Sequence, residues 1–184
     1  MGFQIREGNI QGLKIITPDV FKDDRGYFLK YYEKEMLKEI GVNLDIAESF
    51  ETMSKRNVIR GMHFQTMEPQ DKLVRVISGE IYDVAVDIRK NSPTYGHYDM
   101  VLLSDYNREM FYIPAGFAHG FCVVSDVAIV SYTCRGRYIG QADTGIVYND
   151  PDIAINWPVE NPIVSNKDAG LMTLRTFYDQ FQGL

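Results

Sequence analysis

Between residues 46 and 134 the chain alternates apolar and polar positions in short runs. A period of two is that of a pleated strand with two unlike faces. The pattern predicts strands over 46–52, 58–65, 72–78, 81–88, 98–103, 110–113, 119–124 and 127–134, after a first strand over 11–17. The separators are rich in Pro, Gly, Asn, Asp and Ser, as turns require, and Ser78-Gly79 carries a tight-hairpin signal. Within 81–88, Tyr82, Val84, Val86 and Ile88 alternate with Asp83, Ala85, Asp87 and Arg89, one apolar and one mixed face. The one convincing helix is 33–40, with Met36 and Ile40 four apart and Gly41 as its stop. Asp24-Arg25-Gly26 reads as a turn inside an extended segment. After Tyr138 the prolines at 151, 158 and 162 break any long element, and 149–184 reads as a wrap ending in an apolar tail. Many short strands with little helix predict an all-β sandwich or barrel with short peripheral helices. No repeat or linker divides residues 1–184, so one domain is expected.

Composition adds little to that picture. At 45% hydrophobic and 24% charged, the 184 residues are those of an ordinary globular chain. The net charge of −6 argues against non-specific nucleic-acid binding. No apolar run could span a membrane, and no basic segment leads into one near the N-terminus. Cys122 and Cys134 lie in apolar runs and read as buried free thiols. A cytoplasmic location is therefore expected.

The chemistry concentrates on Asn57-Val58-Ile59-Arg60-Gly61-Met62-His63-Phe64-Gln65. His63 and Gln65 share a parity and Arg60 has the other, and Gly61 is placed to mark a bulge that re-aims one of them. His119 follows the Pro114-Ala115-Gly116 turn. Two histidines on antiparallel strands suggest a metal, but a His-x-His strand would be expected and His63-Phe64-Gln65 stands instead. Acid–base work by His63 is the active reading, with hydrogen-bonded wall histidines as the inert one. Lys72 opens a strand, where it either stabilises an oxyanion or is merely solvated. Tyr132 shares parity with Val130 and Cys134 and is either a core tyrosine or a proton donor. Asp168 reads as a loop carboxylate or a helix cap, and partners a histidine only if the tail folds back. Arg25, Arg60 and Lys72 together suit a diphosphate.

Taken in order, these segments resemble the dTDP-4-dehydrorhamnose 3,5-epimerase family. The resemblance rests on Asp24-Arg25-Gly26-Tyr27-Phe28, Val58 to Gln65, Lys72-Leu73-Val74-Arg75-Val76, Asp83 to Arg89, Ser92-Pro93-Thr94-Tyr95-Gly96, Ile113 to Phe121, Asn149-Asp150-Pro151 and Ser165-Asn166-Lys167-Asp168. It implies a cupin-like double-stranded β-helix, a homodimer exchanging N-terminal strands, and a site without metal or cofactor. It implies epimerisation at C3 and C5 of a nucleotide-linked 4-keto-6-deoxyhexose through an enolate. By the resemblance His63 is the base, Asp168 orients it, Tyr132 is the acid, and Lys72 with His119 steadies the enolate oxygen. Arg60 and Gln65 contact substrate, Arg25 and Phe28 reach the nucleotide from the partner subunit, and Tyr138 stacks on the base.

The chain departs from the family pattern at four positions. Glu48-Ser49-Phe50 stands where the family has Gln-Asp-Asn, and Lys30 where it has Glu. By hydrogen-bond polarity Lys30 and Glu48 suit cytosine, which makes a CDP-linked sugar an alternative to a dTDP-linked one. Phe50 removes an amide beside the sugar and opens the alternative of inversion at one centre. A 3,4-ketoisomerase, a non-catalytic sugar-nucleotide binder and a metal-dependent cupin are the readings from other classes.

Overall fold

The computed structural model describes residues 2–184; Met1 lies outside the described residues. Thirteen strands and three short helices follow in order: β1 (Phe3–Glu7), β2 (Lys14–Pro18), β3 (Val20–Asp23), β4 (Gly26–Leu29), α1 (Lys34–Glu39), β5 (Glu48–Lys55), β6 (Ile59–Gln65), β7 (Asp71–Ser78) and β8 (Glu80–Asp87), then β9 (Tyr98–Ser104), β10 (Met110–Ile113), β11 (Phe117–Val123), β12 (Val127–Arg135), β13 (Asp143–Gly145), α2 (Asn166–Ala169) and α3 (Leu174–Phe181). Two antiparallel sheets face each other. One runs β1-β2-β10-β7-β12-β5, the other β13-β6-β11-β8-β9, and β3-β4 stands apart as a hairpin. This is the all-β architecture that the run of short strands predicted, in the cupin-like jelly-roll form that the family resemblance implied.

Three apolar clusters explain the alternation in the sequence. Val74, Val130, Tyr132, Ala85, Phe121 and Val123 fill the space between the sheets. Val84, Val86, Met62, Phe64 and Ala118 face outward from the five-stranded sheet and are covered by Ile146, Ile153, Leu174 and Phe177 of the C-terminal segment. Ile16, Leu73, Met110 and Tyr112 on the outside of the other sheet are covered by Leu37, Val42 and Leu44. Both faces of β8 are therefore dry, and Asp83 and Asp87 on its mixed face are fully buried.

Some expectations change. Ser78-Gly79 does not close a hairpin: β7 and β8 belong to different sheets, and Gly79 is the corner between them. Its φ of +87° and the close approach of the Val127 carbonyl leave no room for a side chain. Leu37, not Met36 or Ile40, is the fully buried residue of α1. That helix closes as expected, with Gly41 N–H donating to Lys38 O and Val42 N–H to Leu37 O. The tail after residue 173 is helical: Thr173 caps α3 by accepting from Thr176 N–H, and Leu174 and Phe177 are its buried side. Phe177 meets the Phe64 ring edge-on at 4.8 Å, which ties the C-terminus to the back of β6.

Candidate active site

β6 is not a regular strand. His63 pairs with His119 and Arg60 with Phe121, so three steps on β6 match two on β11. That one extra residue is a bulge, and it flips the parity of everything before it. Arg60 and His63 therefore share one cleft of about 430 Å³, lined also by Val58, Ile163, Ser165 and Lys167. Gly61 makes the bulge possible. Its φ is +121°, and a Cβ there would sit 2.6 Å from Gly120 Cα and 2.7 Å from His119 O.

Each of the paired histidines has its own carboxylate. His63 Nε2 lies 2.8 Å from Asp168 Oδ1, and Gly61 N–H donates to Asp168 Oδ2 at 3.1 Å. Burial would raise the Asp168 pKa, but the hydrogen bonds from His63 and Gly61 outweigh it and hold the carboxyl below its usual value. Asp168 is thus ionised, and Nε2–H of His63 is the donor of the pair. Ser165 sets the carboxylate in place by accepting from Asp168 N–H at the start of α2. The second pair is sealed: His119 Nε2 lies 2.8 Å from Asp83 Oδ1, and both residues are buried. Burial drives the Asp83 pKa up and the His119 pKa down, while each partner opposes the shift of the other. Only the His63 ring, 31% exposed at its side chain, opens to the cleft.

The facing sheet supplies the opposite wall. Tyr132 on β12 is buried, its ring edge-on to His119 at 5.8 Å and stacked on Phe50 at 4.7 Å. Burial pushes its phenol far above the usual tyrosine value. Lys72 lies beside Cys134 in the β7–β12 pair. Burial lowers its pKa, and Cys134, Asp143, Asp83 and Glu48 pull it back. Among the described residues no three His, Cys, Asp or Glu side chains converge as metal ligands.

The structure thus brings His63, Asp168 and Arg60 to one cleft, joins His119, Tyr132 and Phe50 ring to ring, and sets Lys72 within electrostatic reach of Asp83 and His119. Arg60 is anchored by Ser54 Oγ at 2.9 Å. Five other sequence-derived contact residues lie outside this chain's His63 cleft, as expected for Arg25 and Phe28 if they serve a partner subunit. Gln65, expected on substrate, is buried with its amide spent on the backbone: it donates to Glu68 O and Arg137 O and accepts from Ile139 N–H. It shapes the loop that carries Tyr138. Glu48 accepts from Gln70 Nε2 at 2.7 Å. Arg25, Phe28 and Lys30 sit exposed on or just after the β3–β4 hairpin and line no part of this chain's His63 cleft; Arg25 pairs there with Asp23.

Sequence reasoning missed Asp83 and Lys167. Asp83 was visible as a carboxylate interrupting an apolar strand, a rare buried type. Lys167 lines the cleft mouth and donates to Asp143 Oδ2 at 2.6 Å, the oxygen that also accepts from Tyr138 Oη. Adjacency to Asp168 was its only signal.

The match to known proteins covers nearly the whole of this architecture. A family model described as dTDP-4-dehydrorhamnose 3,5-epimerase matches residues 7–176. The dTDP-4-dehydrorhamnose 3,5-epimerase of Methanothermobacter thermautotrophicus is 48% identical over 176 residues, which is 94% of this chain and 95% of that protein. The dTDP-4-dehydrorhamnose 3-epimerase of Streptomyces niveus is 38% identical over 173 residues, 93% of this chain and 84% of that one. The crystal structure of the dTDP-6-deoxy-D-glucose-3,5-epimerase of Legionella pneumophila in complex with dTDP-4-keto-L-rhamnose superposes with a TM-score of 0.93 at 38% identity, covering 97% of this chain and 96% of that one. With the motifs that carry His63 and His119 lying inside the matched region, the chain belongs to the dTDP-4-dehydrorhamnose 3,5-epimerase family.

Proposed function

We propose that this protein inverts the carbons flanking the ketone of a dTDP-linked 4-keto-6-deoxyhexose, taking dTDP-4-dehydro-6-deoxy-D-glucose to dTDP-4-dehydro-L-rhamnose. One observation carries the reading: a carboxylate-held histidine opens to the cleft from one sheet, and a buried phenol stands on the sheet facing it. The ketone acidifies the C–H bonds at C3 and C5. His63 Nδ1 takes the proton, the C–H electron pair moves into the enolate, and Asp168 stabilises the imidazolium through Nε2–H. Lys72 places positive charge at the enolate oxygen, with the His119–Asp83 pair packed behind it. The Tyr132 O–H then delivers a proton to the other face, the new C–H bond forms with inverted configuration, and solvent takes the proton from the His63 imidazolium and returns one to the phenol. Because burial keeps that phenol protonated, it yields its proton only to a strongly basic carbanion.

Arg60 and Lys167, two cations at the mouth of the cleft, suit the diphosphate. Tyr138, half exposed beside them, suits the thymine ring. The dTDP sugar is favoured over a CDP sugar because the matched relatives are named for dTDP sugars and Glu48 is engaged with Gln70.

A homodimer completes the site in this reading. The hairpin exposes Phe21 (50%), Tyr27 (58%) and Phe28 (55%), an apolar surface a lone chain leaves in water. Docked on a second copy, it carries Arg25 and Phe28 to that copy's nucleotide. Cys122 and Cys134, both free and buried, fit a reducing cytoplasm.

The test is turnover of dTDP-4-dehydro-6-deoxy-D-glucose in heavy water, followed by NMR. Deuterium enters next to the ketone with the wild type and not with His63→Ala. Absence of exchange in the wild type, or full exchange without His63, overturns the reading.

A further inference from the structure

Tyr132 is held from two sides. Phe50 and Tyr132 are register partners in the β5–β12 pair. Their rings lie 4.7 Å apart and within 14° of parallel. On another side the phenol ring meets His119 edge-on at 5.8 Å and 77°. His119 cannot give way, because its ring is bonded to Asp83 and both are sealed in the core. Phe50 is a different kind of neighbour. It stands on the edge strand of its sheet, 45% exposed, and nothing in the core requires an aromatic ring there. What it does is cover the phenol.

The reaction makes a demand on that phenol. C3 and C5 sit on opposite sides of the carbonyl carbon. One donor serves both only if the donor swings, or if the sugar shifts between two proton transfers. A flat stack resists the swing, since turning the Tyr132 ring breaks its parallel contact with Phe50. Such a contact biases the ring's position by about two- to tenfold. A polar side chain at position 50 would remove that restraint on the ring.

Resting on the epimerase reading, we propose that Phe50 fixes the Tyr132 phenol against one of the two carbons, so that the two centres exchange at unequal rates and Phe50 sets their ratio. The relatives already span both outcomes by name, a 3,5-epimerase in Methanothermobacter thermautotrophicus and a 3-epimerase in Streptomyces niveus. Phe50 is a positioning residue here: it acts through Tyr132 and takes no proton.

The experiment compares initial rates of deuterium incorporation at C3 and at C5 by NMR, in the wild type and in Phe50→Ala, Phe50→Asn, Phe50→Leu and Phe50→Trp. The wild type is expected to label one carbon faster. Ala, Asn and Leu, which all lose the flat stack, shift the C3:C5 ratio by about threefold or more, while Trp retains it. Leu keeps apolar bulk at the edge strand, so a shift there does not come from unfolding, and thermal melts check each variant. A merely structural role would slow both carbons together and leave the ratio unmoved. Equal wild-type rates, or a ratio unchanged in the three non-aromatic variants, overturns the proposal. Exchange at neither carbon in the wild type overturns the epimerase reading, and this inference with it.

Discussion

Asp168 binds at once the ring of His63 and the N–H of Gly61, so it ties that ring to the bulge that aims it. Asp168→Asn keeps the shape and loses the charge. Turnover is expected to fall by about 10²–10⁴-fold with little change in melting temperature, and near-normal turnover would show that His63 needs no carboxylate. The folded Asp168 pKa is depressed, so its stabilisation is complete above about pH 4 and disappears as pH falls through the lower folded value. Gly61→Ala tests the bulge. With φ at +121° and backbone within 2.7 Å of the new Cβ, a loss of about 1–3 kcal/mol is expected in urea denaturation, with turnover falling alongside. Unchanged stability and turnover would mean that the bulge tolerates a side chain. At this scale the sequence was informative about types: a Gly between an Arg and a His signalled the bulge. It was silent about partners, because Asp168 lies 105 residues from His63.

Where β8 ends, its last residue gathers the turn that follows. Asp87 accepts from Arg89 Nε and NH2, Ser92 Oγ and Thr94 Oγ1. Burial would raise its pKa, but these bonds bring it down to about 2. A folded value below the unfolded one means stabilisation present above about pH 4 and lost as pH falls towards 2. Asp87→Asn should flatten the fall of stability over that window in urea titrations, and a slope identical to wild type would sink this. The helix α3 is a second element-scale case. Phe177→Ala opens the back of β6 and is expected to cost about 3–5 kcal/mol, whereas a loss under about 1 kcal/mol would show the tail to be dispensable. The strands were legible because period-two alternation is local. α3 was missed because its buried side is only Leu174 and Phe177, too few to establish a helical period.

Across the whole molecule, the sheets divide the candidate groups: the open and the sealed histidine on one, phenol and lysine on the other. The unpaired hairpin leads to the prediction that the protein sediments as a dimer. Arg25→Ala with Phe28→Ala should then raise KM for the dTDP sugar far more than it lowers kcat; a monomer with unchanged KM would sink the shared site. Sequence by itself determined nine of the thirteen strands, the α1 stop at Gly41 and the identity of the chemical groups, since turn residues, period and side-chain type act over a few positions. It could not say that Ser78-Gly79 turns a sheet corner, because a tight turn has the same local chemistry whether its strands pair or part. Nor could it say which histidine reaches the cleft. That was decided by packing: Asp83 and His119 are closed in between two sheets, while α2 brings Asp168 to the one ring left open.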